Sequence, residues 1–335
     1  RSAFPGDTMA KLIYAAIMLL VGMGLFRNAI PNWDLVPYVA IAKSLQGIPE
    51  QHLHEVTYSL LLRELSPEAY EKIVEGTDYR RAAADRPESF LQQIPFYSVK
   101  PLYPFLMAVI NFGGPGLVAA GRLITLVSYW TLAALIFVWL RRYLATGAAL
   151  LTSLLIVLQP PVTHAARMIS PDILACVLVL LSIYLCFECN KVPGAMIVLL
   201  ASTMARPDNV VFVFLLPVAC WITGRLTKLG SFAWASAGAV LYGLQATFSG
   251  NYGWSTLMYH TFVENLALPR GFKSPLQFRD YVSIYQEGVL AALASEMLMA
   301  AAFFGVVALF LLRNAAQRIS YGMSLLAVTS IGALC

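Results

Sequence analysis

Apolar runs at 9–30, 117–140, 145–161, 171–188, 193–205, 208–224, 231–249, 291–312 and 320–335 leave this chain few ways to fold in water. A helix needs about 20 mostly apolar residues to cross the hydrocarbon layer, and runs this long and this weakly charged read as membrane spans. Composition points the same way. Of the 335 residues, 59% are hydrophobic and 12% charged, against about 45–50% apolar and about 25% charged in soluble domains. Too little polar surface remains to cover a water-soluble globule of this size. The expectation is an all-α polytopic membrane protein, a single domain over residues 1–335 with about nine transmembrane helices. The net charge of +5 comes without a basic block or recognition motif, so no nucleic-acid partner is expected.

Lys11 ahead of the first apolar run has the look of a signal peptide. However, Leu25-Phe26-Arg27-Asn28 offers no small-x-small cleavage site, so a retained helix is expected. The 193–205 run is short, and Arg206-Pro207-Asp208 interrupts what could be one long span. Two helices with a tight turn at the membrane surface fit that break.

With the N-terminus in the cytoplasm, the short inner turns hold Arg141-Arg142, Lys191, Arg225 with Lys228, and Arg313 with Arg318, opposed only by Glu188. The outer loops mix signs, as in Glu64, Glu68, Glu71, Lys72 and Glu75. This is the positive-inside asymmetry. It places the long polar segments 31–116 and 250–289 outside the cytoplasm. If the source is bacterial, the membrane is the inner one.

Within 31–116, apolar positions from Val36 and from His54 recur at three- and four-residue spacing, predicting helices that lie flat on the membrane. Ser66-Pro67-Glu68 predicts a further short helix, with serine as N-cap and proline at its first position. Pro101–Ile110 is too short to span and ends at Gly113-Gly114-Pro115-Gly116, which predicts a re-entrant or interfacial helix. The aromatics of 250–289, Trp254 and Phe262 among them, suit a membrane interface.

Cys176, Cys186, Cys189, Cys220 and Cys335 lie in or at the ends of apolar segments, so membrane-embedded thiols are expected rather than a disulfide framework. Cys186-Phe-Glu-Cys189 has no second pair or histidine to complete a zinc site. His52-Leu-His54-Glu55 likewise lacks a third protein ligand. No Walker motif, nucleotide-binding glycine fingerprint or internal repeat is present.

Four clusters share the outer face in this topology. They are Asn32-Trp33-Asp34 with Tyr38, Tyr97-Ser-Val-Lys100 with Tyr103, Arg167 through Asp172, and Arg206-Pro207-Asp208. Charges exposed to lipid are costly, so a cavity at membrane level would accommodate them. Simpler roles compete. Asp34, Asp172 and Asp208 can stabilise helix N-termini, and Lys100 and Arg206 can snorkel to headgroups. Glu296 is an intramembrane acid and a functional candidate on that ground.

One helix, an outer loop opening at Asp34, a closing Lys100-Pro-Leu-Tyr-Pro104, an Arg167-x-x-Ser-Pro-Asp172 helix start and an Ala205-Arg206-Pro-Asp208 helix start resemble the GT-C superfamily of membrane glycosyltransferases. That group includes the protein mannosyltransferases and the lipid A aminoarabinose transferases. The likeness rests on the order of short motifs over residues 9–335. It departs from many relatives, which carry an acidic pair where Leu35 follows Asp34, and no D-x-D is present. The chain ends in an apolar run at Cys335, so the C-terminal domain of some relatives is not expected.

The resemblance implies a GT-C-like fold and transfer of a sugar from a polyprenyl-phosphate donor to an extracytoplasmic glycan, lipid or protein acceptor. It implies Asp34 as general base with inversion at the anomeric carbon. Lys100, Arg206 and Arg167 would hold the donor phosphate. Tyr38, Tyr97, Tyr103, Asp172, Asp208, His260 and Glu296 would line the substrate pocket. Membrane lipids are the other partners, and no cofactor is indicated, although a divalent metal is compatible. A catalytically silent scaffold of the same fold, and a transporter or flippase of lipid-linked sugars, are the alternatives.

Overall fold

Prolines and charged residues punctuate the apolar runs, and their positions decide how long each helix becomes. A computed structural model describes residues 5–294, and the regular structure among them is helical. Glu296, the expected span at 320–335 and nearly all of the one at 291–312 lie outside the described residues.

The first apolar run forms α1 (Pro5–Arg27). Six helices follow in the first polar segment: α2 (Leu35–Leu45), α3 (Glu50–Glu64), α4 (Pro67–Glu75), α5 (Asp78–Asp85), α6 (Pro87–Ser98) and α7 (Leu102–Asn111). Next come α8 (Leu117–Leu140), α9 (Thr146–Val157), α10 (Pro160–Arg167), α11 (Asp172–Phe187) and α12 (Val192–Ala205). A 3₁₀ turn, Pro207–Asn209, leads into α13 (Val210–Ile222), and α14 (Lys228–Phe248), α15 (Trp254–Phe262) and α16 (Phe278–Ala294) complete the order.

Two of these helices are long and apolar enough to cross a membrane, Thr8–Arg27 within α1 and Leu117–Leu140. The apolar run expected as one span at 145–161 is instead bent by 63° between α9 and α10, and this pair makes a third candidate if it counts as one span. Pro160 and Pro161 explain the bend, since neither has an N–H to continue the ladder. The runs expected as spans at 171–188, 193–205 and 208–224 appear as α11, α12 and α13, of 16, 14 and 13 residues. At about 1.5 Å per residue they reach roughly 20–24 Å. Prolines and charges mark most of these limits: Pro171 precedes α11, Glu188 follows it, and Arg206-Pro207 separates α12 from α13, which ends at Thr223.

The helices run back and forth between two ends. At one end the turns after α8, α11 and α13 meet. Arg142 lies 3.7 Å from the Glu188 carboxylate, and the Arg225 guanidinium stacks 4.9 Å from the centre of the Phe187 ring. At the other end the two polar segments lock together. Gln93 Nε2 donates to Leu266 O at 3.0 Å, Ser89 Oγ to Ala267 O at 2.8 Å and Tyr252 Oη to Gln92 O at 3.0 Å.

The core has two parts. One is built by α1, α8, α9, α11, α12 and α13 around Tyr129, Ile183 and Leu216. Polar groups fasten it: Tyr14 Oη and Ser153 Oγ are 2.6 Å apart, and Trp130 Nε1 donates to Met18 O at 2.9 Å. Gly22 makes the second bond possible, because a Cβ there would sit 2.2 Å from Trp130 Nε1. The other part gathers α2 to α7 and the start of α8 around Tyr38, Leu61 and Met107. Here α2 is buried from Leu35 to Ala40 without a break, so it is enclosed by protein rather than laid flat with one face on lipid.

Ser66 caps α4 as expected, its Oγ accepting from Ala69 N at 3.3 Å. The start of α8 is capped from a distance: Glu64 Oε2, at the end of α3, accepts from Val118 N at 2.8 Å. A carboxylate there also meets the positive end of the helix dipole.

Candidate functional site

A short parallel bridge sets the frame. Ile30 N donates to Arg167 O at 2.7 Å, and Ile169 N donates to Ile30 O at 3.2 Å. It stitches the chain leaving α1 to the chain entering α11, so Asp34 and Asp172 come to the same end of the molecule.

After the bridge the chain turns into α2, with Leu35 N donating to Asn32 O at 3.2 Å and Val36 N to Trp33 O at 3.0 Å. Trp33 is buried and pins the turn, its indole N–H donating to Tyr79 Oη at 2.7 Å. Asp34 stands at the N-cap of α2, yet its side chain caps no backbone N–H. Instead Oδ1 accepts from Tyr97 Oη at 3.1 Å. Among the described residues, Asp34 is in no ion pair within 4.0 Å.

Lys100 also approaches this phenol. Its Nζ is 5.5 Å from the centre of the Tyr97 ring and 5.9 Å from that of Tyr38, within reach of cation–π attraction. It too is in no ion pair among the described residues. Tyr38 packs edge-on against Tyr97 at 5.6 Å and against Tyr103 at 5.2 Å. Tyr103 is fully buried and donates to Gly121 O at 3.3 Å. A Cβ on Gly121 would lie 2.7 Å from Ile169 and 3.1 Å from that hydroxyl, so only glycine lets the two approach. Burial first, and the Asp34 carboxylate second, push the Tyr38 and Tyr97 hydroxyls well above their ordinary 10.0. Both keep their protons at neutral pH.

The third wall is ionic. Arg206 Nη1 donates to Asp172 Oδ1, and Nη2 donates to Asp208 Oδ2 at 2.8 Å. Ser170 Oγ donates to Asp172 Oδ2 at 2.8 Å. Asp172 is buried, at 9% exposure, while Asp208 is exposed. Asp34, Asp172 and Arg206 are all near enough to act electrostatically on the Tyr38 hydroxyl.

The structure therefore brings together Asp34, Tyr38, Tyr97, Lys100, Tyr103, Asp172, Arg206 and Asp208 from four separate stretches of chain. Two expected members lie elsewhere. Arg167 Nε donates to Asn28 O at 2.9 Å and faces a different crevice. His260 stacks on Phe96 at 4.6 Å, meets Tyr79 edge-on at 5.2 Å, and accepts from Leu266 N at 2.9 Å through Nδ1. Its imidazole braces the second polar segment behind Trp33 and Tyr79, and burial lowers its pKa to about 4. Glu296 lies outside the described residues.

Three participants are new at the level of structure. Gln245 on α14 donates through Nε2 to Val99 O, beside Lys100, and to Thr203 O at 3.0 Å near the end of α12. An amide within an otherwise apolar helix was the available signal for it. Ser170 is an orienting partner of Asp172, and Gln93 accepts from Tyr79 Oη at 3.2 Å. Among the described residues, buried Tyr38 Oη, Asn32 Oδ1 and Arg206 Nε have no hydrogen-bond partner, which leaves polar capacity around the site.

His54 is structural, bonded through Nε2 to Ala84 O at 2.8 Å and packed on Tyr58 and Phe90. No group of three histidine, cysteine, aspartate or glutamate side chains able to hold a metal occurs among the described residues. No protein-family model, curated protein or solved structure matches this chain.

Proposed function

We propose that the protein is a membrane glycosyltransferase that moves a sugar from a polyprenyl-phosphate donor to an extracytoplasmic hydroxyl acceptor. One observation carries this reading: a carboxylate and an ammonium, Asp34 and Lys100, each in no ion pair among the described residues, both meet the Tyr97 phenol. Displacement at an anomeric carbon needs a group to take a proton on one side and a cation to receive negative charge on the other.

In the proposed step the acceptor oxygen attacks the anomeric carbon and its proton passes to Asp34. The bond from that carbon to the phosphate oxygen breaks, and its electron pair leaves on polyprenyl phosphate beside Lys100. Attack opposite the leaving group inverts the anomeric centre. Tyr97 orients the base through its hydrogen bond, and Tyr38 and Tyr103, both fully buried, pack behind it. Arg206 is already answered by two carboxylates, so Lys100 carries the free positive charge and Arg206 positions Asp172.

The same reading takes the helices as a GT-C-like bundle of about nine spans with the N-terminus in the cytoplasm. The contact between the two polar segments at the Asp34 end supports it. So does the meeting of the arginine-bearing turns at the opposite end. Short α11, α12 and α13 would keep the site near the membrane surface, within reach of a donor arriving sideways from the bilayer.

The test is release of polyprenyl phosphate from a panel of polyprenyl-phosphate sugars by purified protein in detergent. Asp34→Asn should lower turnover about 10²–10⁴-fold, the usual worth of a positioned base. Undiminished turnover would remove Asp34 from the mechanism. Donor that binds but is never converted by the intact protein would sink the transferase reading itself.

A further inference from the structure

A second cationic site lies on the far side of the Ile30–Met168 bridge, in a crevice between α1, α8 and α10. It is a narrow crevice open to the surroundings, with enclosed room for little more than a water molecule, so a larger ligand would lie along its mouth. Leu25, Phe26, Leu126 and Tyr129 form its apolar wall, and Arg122 and Arg167 are its charged residues.

Neither arginine is neutralised. Among the described residues no carboxylate pairs with Arg122 or Arg167. Arg167 spends its Nε on Asn28 O at 2.9 Å. The Arg122 side chain makes no hydrogen bond among the described residues, and its Nε is buried without a partner there. Burying part of an unpaired guanidinium within an apolar helix is costly, so a counter-charge belongs there.

The position says what kind. Arg122 follows the start of the candidate span Leu117–Leu140 by about 7–8 Å of helix rise, and Arg167 meets the chain just past the end of the candidate span Thr8–Arg27. Both guanidiniums thus sit near the ends of candidate spans, where a spanning helix approaches the headgroups. Two guanidiniums suit phosphate oxygens, which they can grip with paired N–H donors, and basic pockets between membrane helices take anionic headgroups. The apolar wall would receive the start of an acyl chain. Ile169 is fully buried, lines the crevice and belongs to the same core cluster as Trp33, Leu35 and Tyr103, so it stands between the crevice and that core.

We propose that Arg122 and Arg167 form a binding site for the phosphodiester of an anionic membrane phospholipid, separate from the Asp34 cluster. It would tie the outer end of α1 to α10 and so steady the bridge that positions Asp34.

The test is native mass spectrometry of the full chain, purified in uncharged detergent and supplied with phosphatidylglycerol. The intact protein should retain the lipid, and Arg122→Gln with Arg167→Gln should retain it about tenfold less or worse, the scale of lost charge-assisted hydrogen bonds. Arg27→Gln, an exposed cation at the same helix end, should leave retention unchanged. Arg122→Lys with Arg167→Lys keeps the charge and guards against misfolding of the glutamine pair; a melting curve checks both. Equal retention by the glutamine pair overturns the proposal. Displacement of the phospholipid by an equal amount of polyprenyl phosphate, or by millimolar inorganic phosphate, also overturns it. The readout uses no sugar donor, so its failure is distinct from failure of the transferase reading.

Discussion

Arg206 answers two carboxylates at once, and that makes it the residue whose loss should cost the fold most at this site. Removing it strands Asp172, a carboxylate at 9% exposure whose other polar partner is Ser170. Breaking a buried pair from one side typically costs about 3–5 kcal/mol, whereas replacing both partners with apolar groups is often near neutral. Arg206→Ala should therefore destabilise the protein by about 3 kcal/mol. Arg206→Met combined with Asp172→Leu should recover most of that loss, read as melting temperatures in detergent. A double variant no more stable than Arg206→Ala would mean that the pair does not govern stability here. His260 sets a pH limit. Its folded pKa of about 4 lies below the ordinary 6.5, so between these values the unfolded chain binds a proton that the folded one refuses. Stability should fall as pH drops from about 6.5 toward 4, because a protonated Nδ1 can no longer accept from Leu266 N. His260→Gln should flatten that part of a melting-versus-pH curve. The sequence marked Asp34, Lys100 and Arg206 by charge at expected helix ends. It could not show that Arg206 is already paired, since Asp172 meets it only through packing of α11 on α12.

Helix ends are where sequence and structure agree best and also where they part. The 117–140 run becomes α8 with the same limits, because Gly116 and Arg141 punctuate it clearly. The 145–161 run breaks into α9 and α10, since apolarity alone does not register what two consecutive prolines do to direction. α5 and α6 carry few apolar periods in isolation, and it is docking against α3 and the second polar segment that buries Phe90, Gln92 and Gln93. The cap on α8 was likewise invisible, because Glu64 and Val118 are distant in sequence. Its worth can be measured. Glu64→Ala removes both a capping acceptor and a charge at the dipole's positive end, which should cost about 1–2 kcal/mol. Glu64→Gln should cost less by keeping an acceptor. Equal losses would assign the effect to charge alone.

At the scale of the whole molecule, the two-ended organisation makes a prediction about orientation. Single cysteines in a background with all five native cysteines replaced by serine can be probed in intact cells with a membrane-impermeant thiol reagent. A cysteine at Glu71, exposed on α4, should label, while one at Ala145, exposed in the turn after α8, should label only after permeabilisation. The reverse pattern would put the Asp34 end in the cytoplasm and rule out an extracytoplasmic acceptor.

The Ile30–Met168 bridge has a consequence for how such a site comes into being. Its two strands are separated by most of the first half of the chain, so during synthesis Asp34 emerges long before its frame exists. The region from α2 to α7 can gather its own core early, as local contacts do. The bridge must wait until α10 has been made and has turned back toward α1. The frame of the site is thus complete only once about half of these 335 residues have been made. A nascent chain halted ahead of Met168 would carry Asp34, Tyr97 and Lys100 without the backbone pairing that holds the end of α1 against the chain entering α11.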